Sequence, residues 1–183
     1  MHFTQEEILK DLKKGEKHSP WKKPLLILLS LLTLILFLFA FVLDPAALSI
    51  LGGLLESSRL DENSLTIQKK EVTLSFTLET YKTLKELFIQ NEGREFKACV
   101  LGTKENVTYN LYRVFVPETY FQEFSKVVAA PCPAETLIDL HSHPLNHCIP
   151  SYHDVQVLKA LKGKNSEIIL GVMCNVGRFN FYL

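Results

Sequence analysis

The chain has 183 residues, which is enough for one modest domain and an appendage. Its 20 basic and 20 acidic residues balance, and residues 44–183 carry fourteen basic and sixteen acidic groups. This near-neutral balance argues against nucleic acid as a partner of the main domain.

Residues 1–24 form a basic tail with six lysines and four acidic residues. Apolar residues between Phe3 and Leu12 recur at helical spacing, and Thr4 with Glu7 has the form of a capping box. The pattern predicts either a short amphipathic helix on a membrane surface or a frayed tail. The lysines suit contact with anionic lipid headgroups.

Residues 25–43 are an uncharged apolar run of nineteen residues. A helix of that length rises about 29 Å, close to the hydrocarbon thickness of a bilayer. A buried core helix is disfavoured, because so small a domain cannot cover it on every face. A cleavable signal peptide is the closer alternative, but its apolar region is usually shorter and Asp44 to Ser49 offers only a weak cleavage site. We therefore predict an uncleaved transmembrane helix and a lipid bilayer as partner.

The charges that flank this run predict its orientation. Six lysines precede it, whereas Arg59 is the only basic residue in the twenty positions after it. Positive charge stays on the cytoplasmic side of membranes. The chain is therefore expected to be single-pass, with a cytoplasmic N-terminus and an extracytoplasmic main domain.

Residues 44–64 are predicted to be a linker, because they contain Asp-Pro, Gly-Gly and Ser-Ser pairs. Within the linker, Ala46 to Leu55 is apolar and is expected to lie along the outer membrane interface.

Residues 65–183 are predicted to be the main domain, with strands and helices mixed around one sheet in an α+β or α/β class. Thr77 is the predicted cap of a helix that ends near Gln90. The predicted strands are 71–76, 96–101, 107–116 and 136–140, with a final hairpin of 168–174 and 178–182; the other predicted helices are 119–127, which is weak, and 155–161.

The four cysteines contain no C-x-x-C pair and do not by themselves predict a structural zinc site. An extracytoplasmic domain permits disulfides. Cys99 and Cys174, however, lie in apolar strand-like runs, where buried free thiols are the commoner outcome. We therefore do not predict a bridge.

Four of the six histidines lie between positions 141 and 153, in the pattern H-x-H-P-x6-S-x-x-D. Residues i and i+2 of a strand face the same side, so His141 and His143 project together while Ser142 points away. Asp154, from the first turn of the next helix, adds a carboxylate. Two imidazoles and a carboxylate are the ligands of a catalytic zinc with one position left for water.

Each part of this pattern also has a structural interpretation. An H-x-H pair alone is weak evidence for a metal, and Ser151 with Asp154 before an apolar run is an ordinary capping box. The joint spacing is much more specific. His147 and His153 are interpreted as loop or surface residues.

The complete pattern resembles the JAMM (MPN+) metalloprotease family, whose signature is an upstream Glu followed by H-[ST]-H-x7-S-x-x-D. His141, Ser142, His143, Ser151 and Asp154 match every defined position of the second half. In that family the Glu opens a strand that ends in a small-apolar-Leu-Gly segment, and the segment from Glu95 to Gly102 fits this arrangement. Glu92 is a nearby alternative in a worse register.

The resemblance covers residues 65–183 and implies an α+β fold with a JAMM/MPN-like β-sheet core flanked by helices. It further implies that His141, His143 and Asp154 bind one Zn²⁺ per chain. Glu95 would be the general base and Ser151 a hydrogen-bond donor to the oxyanion.

The domain is too short to contain the insertions by which eukaryotic family members grip ubiquitin. The expected activity is therefore that of a minimal, membrane-anchored isopeptidase or protease acting on a protein or peptide, with a ubiquitin-like protein as one candidate substrate. The main alternative is a non-catalytic MPN-like scaffold that binds protein partners at the membrane.

Two other enzyme classes fit the sequence less well. A cysteine hydrolase built on Cys148 and His147 lacks an orienting acid, and neighbouring side chains usually point apart. A zinc deaminase needs H-x-E followed by P-C-x-x-C, which this chain does not contain.

Overall fold

A computed structural model describes residues 22–42 and 44–183, and these fall into two compact units that divide at Pro45. The segment between Phe3 and Leu12, which is expected to be either a short amphipathic helix or a frayed tail, lies outside the described residues. The first unit contains helix α1, Lys22–Val42. It is long and apolar enough to cross a membrane, although a signal sequence would satisfy the same test.

The second unit, residues 46–183, has both helices and a large mixed sheet, so the predicted α+β class is confirmed. Its helices are α2 (Pro45–Glu56), α3 (Leu78–Gln90) and α4 (Tyr152–Lys162). Its strands are β1 (Ser58–Arg59), β2 (Thr66–Lys69), β3 (Val72–Phe76), β4 (Lys97–Glu105), β5 (Thr108–Phe115), β6 (Thr119–Glu123), β7 (Lys126–Ala129), β8 (Thr136–Ser142), β9 (Ile169–Asn175) and β10 (Arg178–Tyr182).

Eight strands form the main sheet in the order β1-β10-β9-β8-β4-β5-β3-β2, and β6 with β7 forms a separate hairpin. The pairs β3–β5 and β8–β9 are parallel, and the other neighbours are antiparallel. Strand β8 therefore lies near the middle of the sheet, and all seven of its residues are buried. A strand buried on both faces is a rigid support for residues at its end.

The hydrophobic core lies between the sheet and α3. Tyr81 and Leu84 of α3 join the central strand residues Val100, Ile138 and Leu140, which have no more than 5% exposure. Thr77 caps α3 as predicted, because its side chain accepts a hydrogen bond from the Thr80 amide at 3.2 Å.

Three segments differ from the sequence predictions. Residues 119–129 form a β-hairpin rather than a helix, because they are rich in aromatic and β-branched residues that favour strands. Strand β4 continues past Gly102 to Glu105 through a bulge, and the turn is at Asn106, where φ is 56°. The predicted linker at 44–64 contains α2 and β1, which belong mainly to the second unit.

All four cysteines are paired, so Cys99 and Cys174 are not the buried free thiols that their apolar strands favoured. Cys99 of β4 is bridged to Cys132, and Cys148 is bridged to Cys174 of β9. Each bridge joins segments that are distant in sequence, and the required Cα separation of about 5–6 Å arises only from the tertiary fold. The second bridge fastens residues 144–150, which we call the metal loop, to the sheet.

Candidate metal centre

The end of β8 places two histidines side by side. His141 is in the strand and pairs with Val172 of β9, and His143 follows with its amide donating to the Met173 carbonyl at 2.9 Å. Each histidine is only 6% exposed. Because β9 continues the ladder to His143, both imidazoles are held on one side of the sheet, as the spacing predicts.

The first turn of α4 supplies the carboxylate through a complete capping box. The Ser151 side chain accepts from the Asp154 amide at 3.2 Å, and the Ser151 amide donates to Asp154 Oδ2 at 2.6 Å. Ser151 and Asp154 therefore form the capping box that the structural interpretation predicts. The same capping box holds the Asp154 carboxylate at the site. The same Oδ2 lies 3.3 Å from His141 Nε2 and 3.5 Å from His143 Nε2.

These three side chains meet the geometric requirement of a metal site. The Nε2 atoms of His141 and His143 are 3.0 Å apart, so the three donor atoms form a triangle with sides of 3.0 to 3.5 Å. A tetrahedral ion with bonds of about 2.0–2.1 Å separates its ligands by about 3.3 Å. In the described part of the chain, this is the one group of three or more His, Cys, Asp or Glu side chains that could hold a metal ion.

The metal loop fixes the orientation of His143. Its Nδ1 lies 3.2 Å from the carbonyl oxygen of His147, which can only accept, so Nδ1 carries the proton and Nε2 faces the donor triangle. The His147 ring also stacks on the His143 ring with centroids 5.6 Å apart. His147 lies in the loop, as predicted, and its backbone carbonyl also fixes the tautomer of a candidate ligand.

Glu95 lies beside the triangle as predicted, with Oε1 3.6 Å from His143 Nε2 and only 9% of the residue exposed. It precedes β4 by two residues, and its amide donates to the Glu123 carbonyl of the β6–β7 hairpin at 2.8 Å. Glu92, the alternative, is an exposed turn residue. Of the two glutamates, Glu95 is therefore the one that lies beside the donor triangle.

Ser142 has a positioning role that the sequence did not reveal. Its side chain points away from the histidines, as predicted, and its Oγ accepts from the Phe96 amide at 2.9 Å. Its own amide donates to the Phe96 carbonyl at 2.9 Å. These two bonds fix the segment next to Glu95 to the strand that carries His141. Only the pairing of β8 with β4 makes this role visible.

The charged groups of the site shift one another's pKa values. Burial raises the pKa of Glu95, although His143 and His141 partly oppose the effect. Burial would also raise the pKa of Asp154, but its hydrogen bonds and charge interactions with the two histidines hold that pKa far below its usual range. For His143, burial is outweighed by Asp154 and Glu95, which raise its pKa.

A groove of about 820 Å³ runs past the candidate metal centre. Residues 124–129, which are the turn and second strand of the β6–β7 hairpin, line the groove, and so does Ile50 of α2. The ion pair of Lys97 and Asp139 also lines the groove, with Nζ and Oδ2 3.0 Å apart. Asp139 is 4% exposed, and no other polar partner of its Oδ2 exists among the described residues.

This ion pair gives a stability prediction. The Lys97→Met variant is expected to lower the free energy of unfolding by about 3 kcal/mol, because it leaves the Asp139 carboxylate buried without a counter-charge. The double variant Lys97→Met with Asp139→Leu is expected to recover most of that loss. Urea unfolding of the full chain in detergent measures both. A double variant as unstable as the single one would show that the pair is not the cause.

No model of a known protein family matches the chain, and no curated protein is significantly similar to it in sequence. The site itself is therefore the basis for assigning a function. It is a buried His-His-Asp group that could bind a metal ion, next to a glutamate and open to a groove.

Proposed function

We propose that the chain is a zinc-dependent metallopeptidase of the JAMM type, which hydrolyses a peptide or isopeptide bond. The main support is Glu95 within 3.6 Å of the His-His-Asp donor triangle. The same two-histidine, one-carboxylate donor set also holds iron(II) in oxygenases. The buried glutamate beside the donors can serve as the general base of a hydrolysis, and this favours zinc.

Zinc bound here would act as a Lewis acid and would lower the pKa of a water molecule to about 7. Glu95 takes a proton from the attacking water and passes it to the amine that leaves. Burial suits Glu95 to this task, because a carboxylate with a raised pKa accepts a proton more readily. The hydrogen bonds of Ser142 keep the glutamate segment in position throughout.

Ser151 supports the proposal from the other side of the site. Its Oγ accepts from the Asp154 amide, so its hydroxyl hydrogen is free to donate to an oxyanion in the groove. The structure brings it to the groove together with Asp154, because one capping box holds both residues.

The Ser151→Ala variant is expected to reduce the turnover number by about 10²–10³-fold, the usual effect of losing one oxyanion donor. Losing the helix cap is also expected to cost about 1 kcal/mol of stability. The matched control is Ser125→Ala, which removes another hydroxyl that lines the groove. Zinc content must stay at one per chain. A Ser151 variant that loses zinc would show that the serine acts only by holding Asp154.

Proteins or peptides are the proposed substrates, and a ubiquitin-like protein is one candidate. The groove passes both the donor triangle and the hairpin edge, so an extended segment can lie along it. The test is cleavage of peptide libraries and of ubiquitin-like isopeptide conjugates by the zinc-loaded full chain. One zinc per chain with no cleavage of any substrate would instead favour the non-catalytic scaffold.

We also propose that α1 anchors the chain in a membrane with the second unit outside the cytosol. The two disulfides support this location, because such bridges persist in oxidising compartments. The six lysines before the apolar run support the same orientation.

The orientation is tested with sealed vesicles. Added protease is expected to digest the second unit in right-side-out vesicles and to leave it intact in inside-out vesicles. A cytoplasmic marker protein provides the control for sealing. Protection in the right-side-out preparation would place the second unit in the cytosol.

A further inference from the structure

Helix α2 has one face packed on the metal loop. Gly53 is buried, and a β-carbon added to it would lie 3.2 Å from Ile149 Cγ2 and 3.3 Å from Cys148 Cβ. The helix backbone therefore rests directly on the loop whose His147 carbonyl orients His143. An alanine at position 53 would require these neighbours in the loop to move by a few tenths of an ångström.

Two cations fix the C-terminal end of α2 to the sheet. Arg178 donates to the Leu54 carbonyl at 3.2 Å, and Lys69 donates to the Glu56 carbonyl at 3.0 Å. The carbonyls of a last helical turn lack backbone partners, and here the two cations donate to them, together with Ser57 Oγ at the Leu54 carbonyl. The cations also suit the negative end of the helix dipole. Helix α2 is therefore an integral part of the second unit and not a loose tether.

The opposite face of α2 is apolar and exposed. Leu48, Leu51 and Leu55 follow the i, i+3, i+7 spacing of one helix side and are 52%, 50% and 85% exposed. The only charged residue in the helix is Glu56, at its last position. A row of exposed leucines on a helix that is already packed on its other side indicates a surface that something else covers.

The chain itself indicates what covers this surface. Only Leu43 and Asp44 separate α1 from α2, and the link from Val42 to Pro45 can extend no more than about 10 Å. The interfacial zone on each side of the hydrocarbon core is about 5–8 Å thick. If α1 spans a bilayer, α2 therefore begins in or next to the headgroups, and lipid is the nearest apolar phase.

We propose that α2 lies in the membrane interface, with Leu48, Leu51 and Leu55 in the acyl boundary. This inference rests on the proposed anchoring by α1. It has a consequence for the substrate, because Ile50 of the same helix lines the groove. The groove then opens next to the lipid surface and accepts peptide segments close to that surface, such as the membrane-proximal segments of other membrane proteins.

The experiment places an environment-sensitive nitrobenzoxadiazole dye on single cysteines of the full chain in phosphatidylcholine vesicles. The four native cysteines are bridged, so only an introduced thiol reacts. The test variant is Leu51→Cys. Leu36→Cys in α1 is the control for membrane insertion, and Val107→Cys, which is 53% exposed in the β4–β5 turn, is the matched control on the domain. Lipids with a doxyl quencher in the acyl chain report contact.

The dye at position 51 is expected to emit at shorter wavelength than the dye at position 107 and to lose most of its intensity to doxyl lipid. Water-like emission at 51 with strong quenching at 36 would overturn the inference while keeping the anchor. Blue-shifted emission at 51 without quenching would mean that a protein surface covers the helix, which also overturns it. Absence of quenching at 36 would instead contradict the anchoring by α1.

Discussion

Replacing Glu95 with glutamine is expected to reduce the rate of peptide or isopeptide hydrolysis by about 10²–10⁴-fold, the usual contribution of a general base. Glutamine has almost the same shape, and the Glu95 amide keeps its bond to the Glu123 carbonyl, so the backbone at the site is preserved. The three donor atoms are untouched. Zinc content measured by mass spectrometry is therefore expected to remain at about one per chain.

The same variant has a second readout that separates chemistry from unfolding. In the metal-free protein, burial raises the pKa of Glu95, which means that the folded state disfavours the charged form. Above that raised pKa the carboxylate lowers stability, and glutamine removes this cost. The metal-free Glu95→Gln variant is expected to melt at the same temperature as the wild type or higher. A misfolded variant would melt lower.

Glu92→Gln is the matched control, because Glu92 is an exposed glutamate three residues away in the preceding turn. It is expected to retain the wild-type rate and zinc content. If Glu92→Gln abolishes hydrolysis and Glu95→Gln does not, the assignment of the base is wrong, whatever the metal content of the two variants.

The sequence predicted those parts of the site that depend on local geometry. His141 and His143 face one side because a strand alternates, and Asp154 opens a helix because Ser151 caps it. Both rules act over a few residues. The proximity of Glu95 came from the family resemblance, and the structure places it 3.6 Å from His143.

The sequence did not predict what depends on distant pairing. The hydrogen bonds of Ser142 exist because the pairing of β8 with β4 brings it to Phe96, which is 46 residues earlier in the chain. The bridge between Cys148 and Cys174 requires the metal loop to fold back on β9. The sequence predicts a weak helix at 119–127 where the structure has a hairpin, because so short a segment has no decisive hydrophobic period.

The strongest test of the metal itself is Asp154→Asn. The asparagine oxygen can still accept from the Ser151 amide, so the capping box and the start of α4 are expected to persist. The neutral amide is, however, a poor replacement for the carboxylate in the donor triangle. We expect zinc content to fall from about one per chain to near zero after dialysis against a weak chelator.

This loss has a thermal signature that does not require any substrate. Free zinc at about 100 times its dissociation constant stabilises the folded wild type by about 2.7 kcal/mol, or about 10 °C for a domain of this size. The Asp154→Asn variant is expected to show almost no zinc-dependent shift. The metal-free variant is expected to be less stable, because it lacks the interaction of the Asp154 carboxylate with the histidines. This difference does not affect the result, because the zinc-dependent shift is measured within each variant.

His153→Ala is the matched control for this experiment. His153 precedes Asp154 in the same helical turn and lines the groove, but it is outside the donor triangle. It is expected to keep both the zinc and the full thermal shift. If Asp154→Asn retains one zinc per chain and the wild-type shift, the carboxylate is not a ligand. The two imidazoles would then have to bind the ion with another partner, and Glu95, the nearest remaining carboxylate, could not serve as the base.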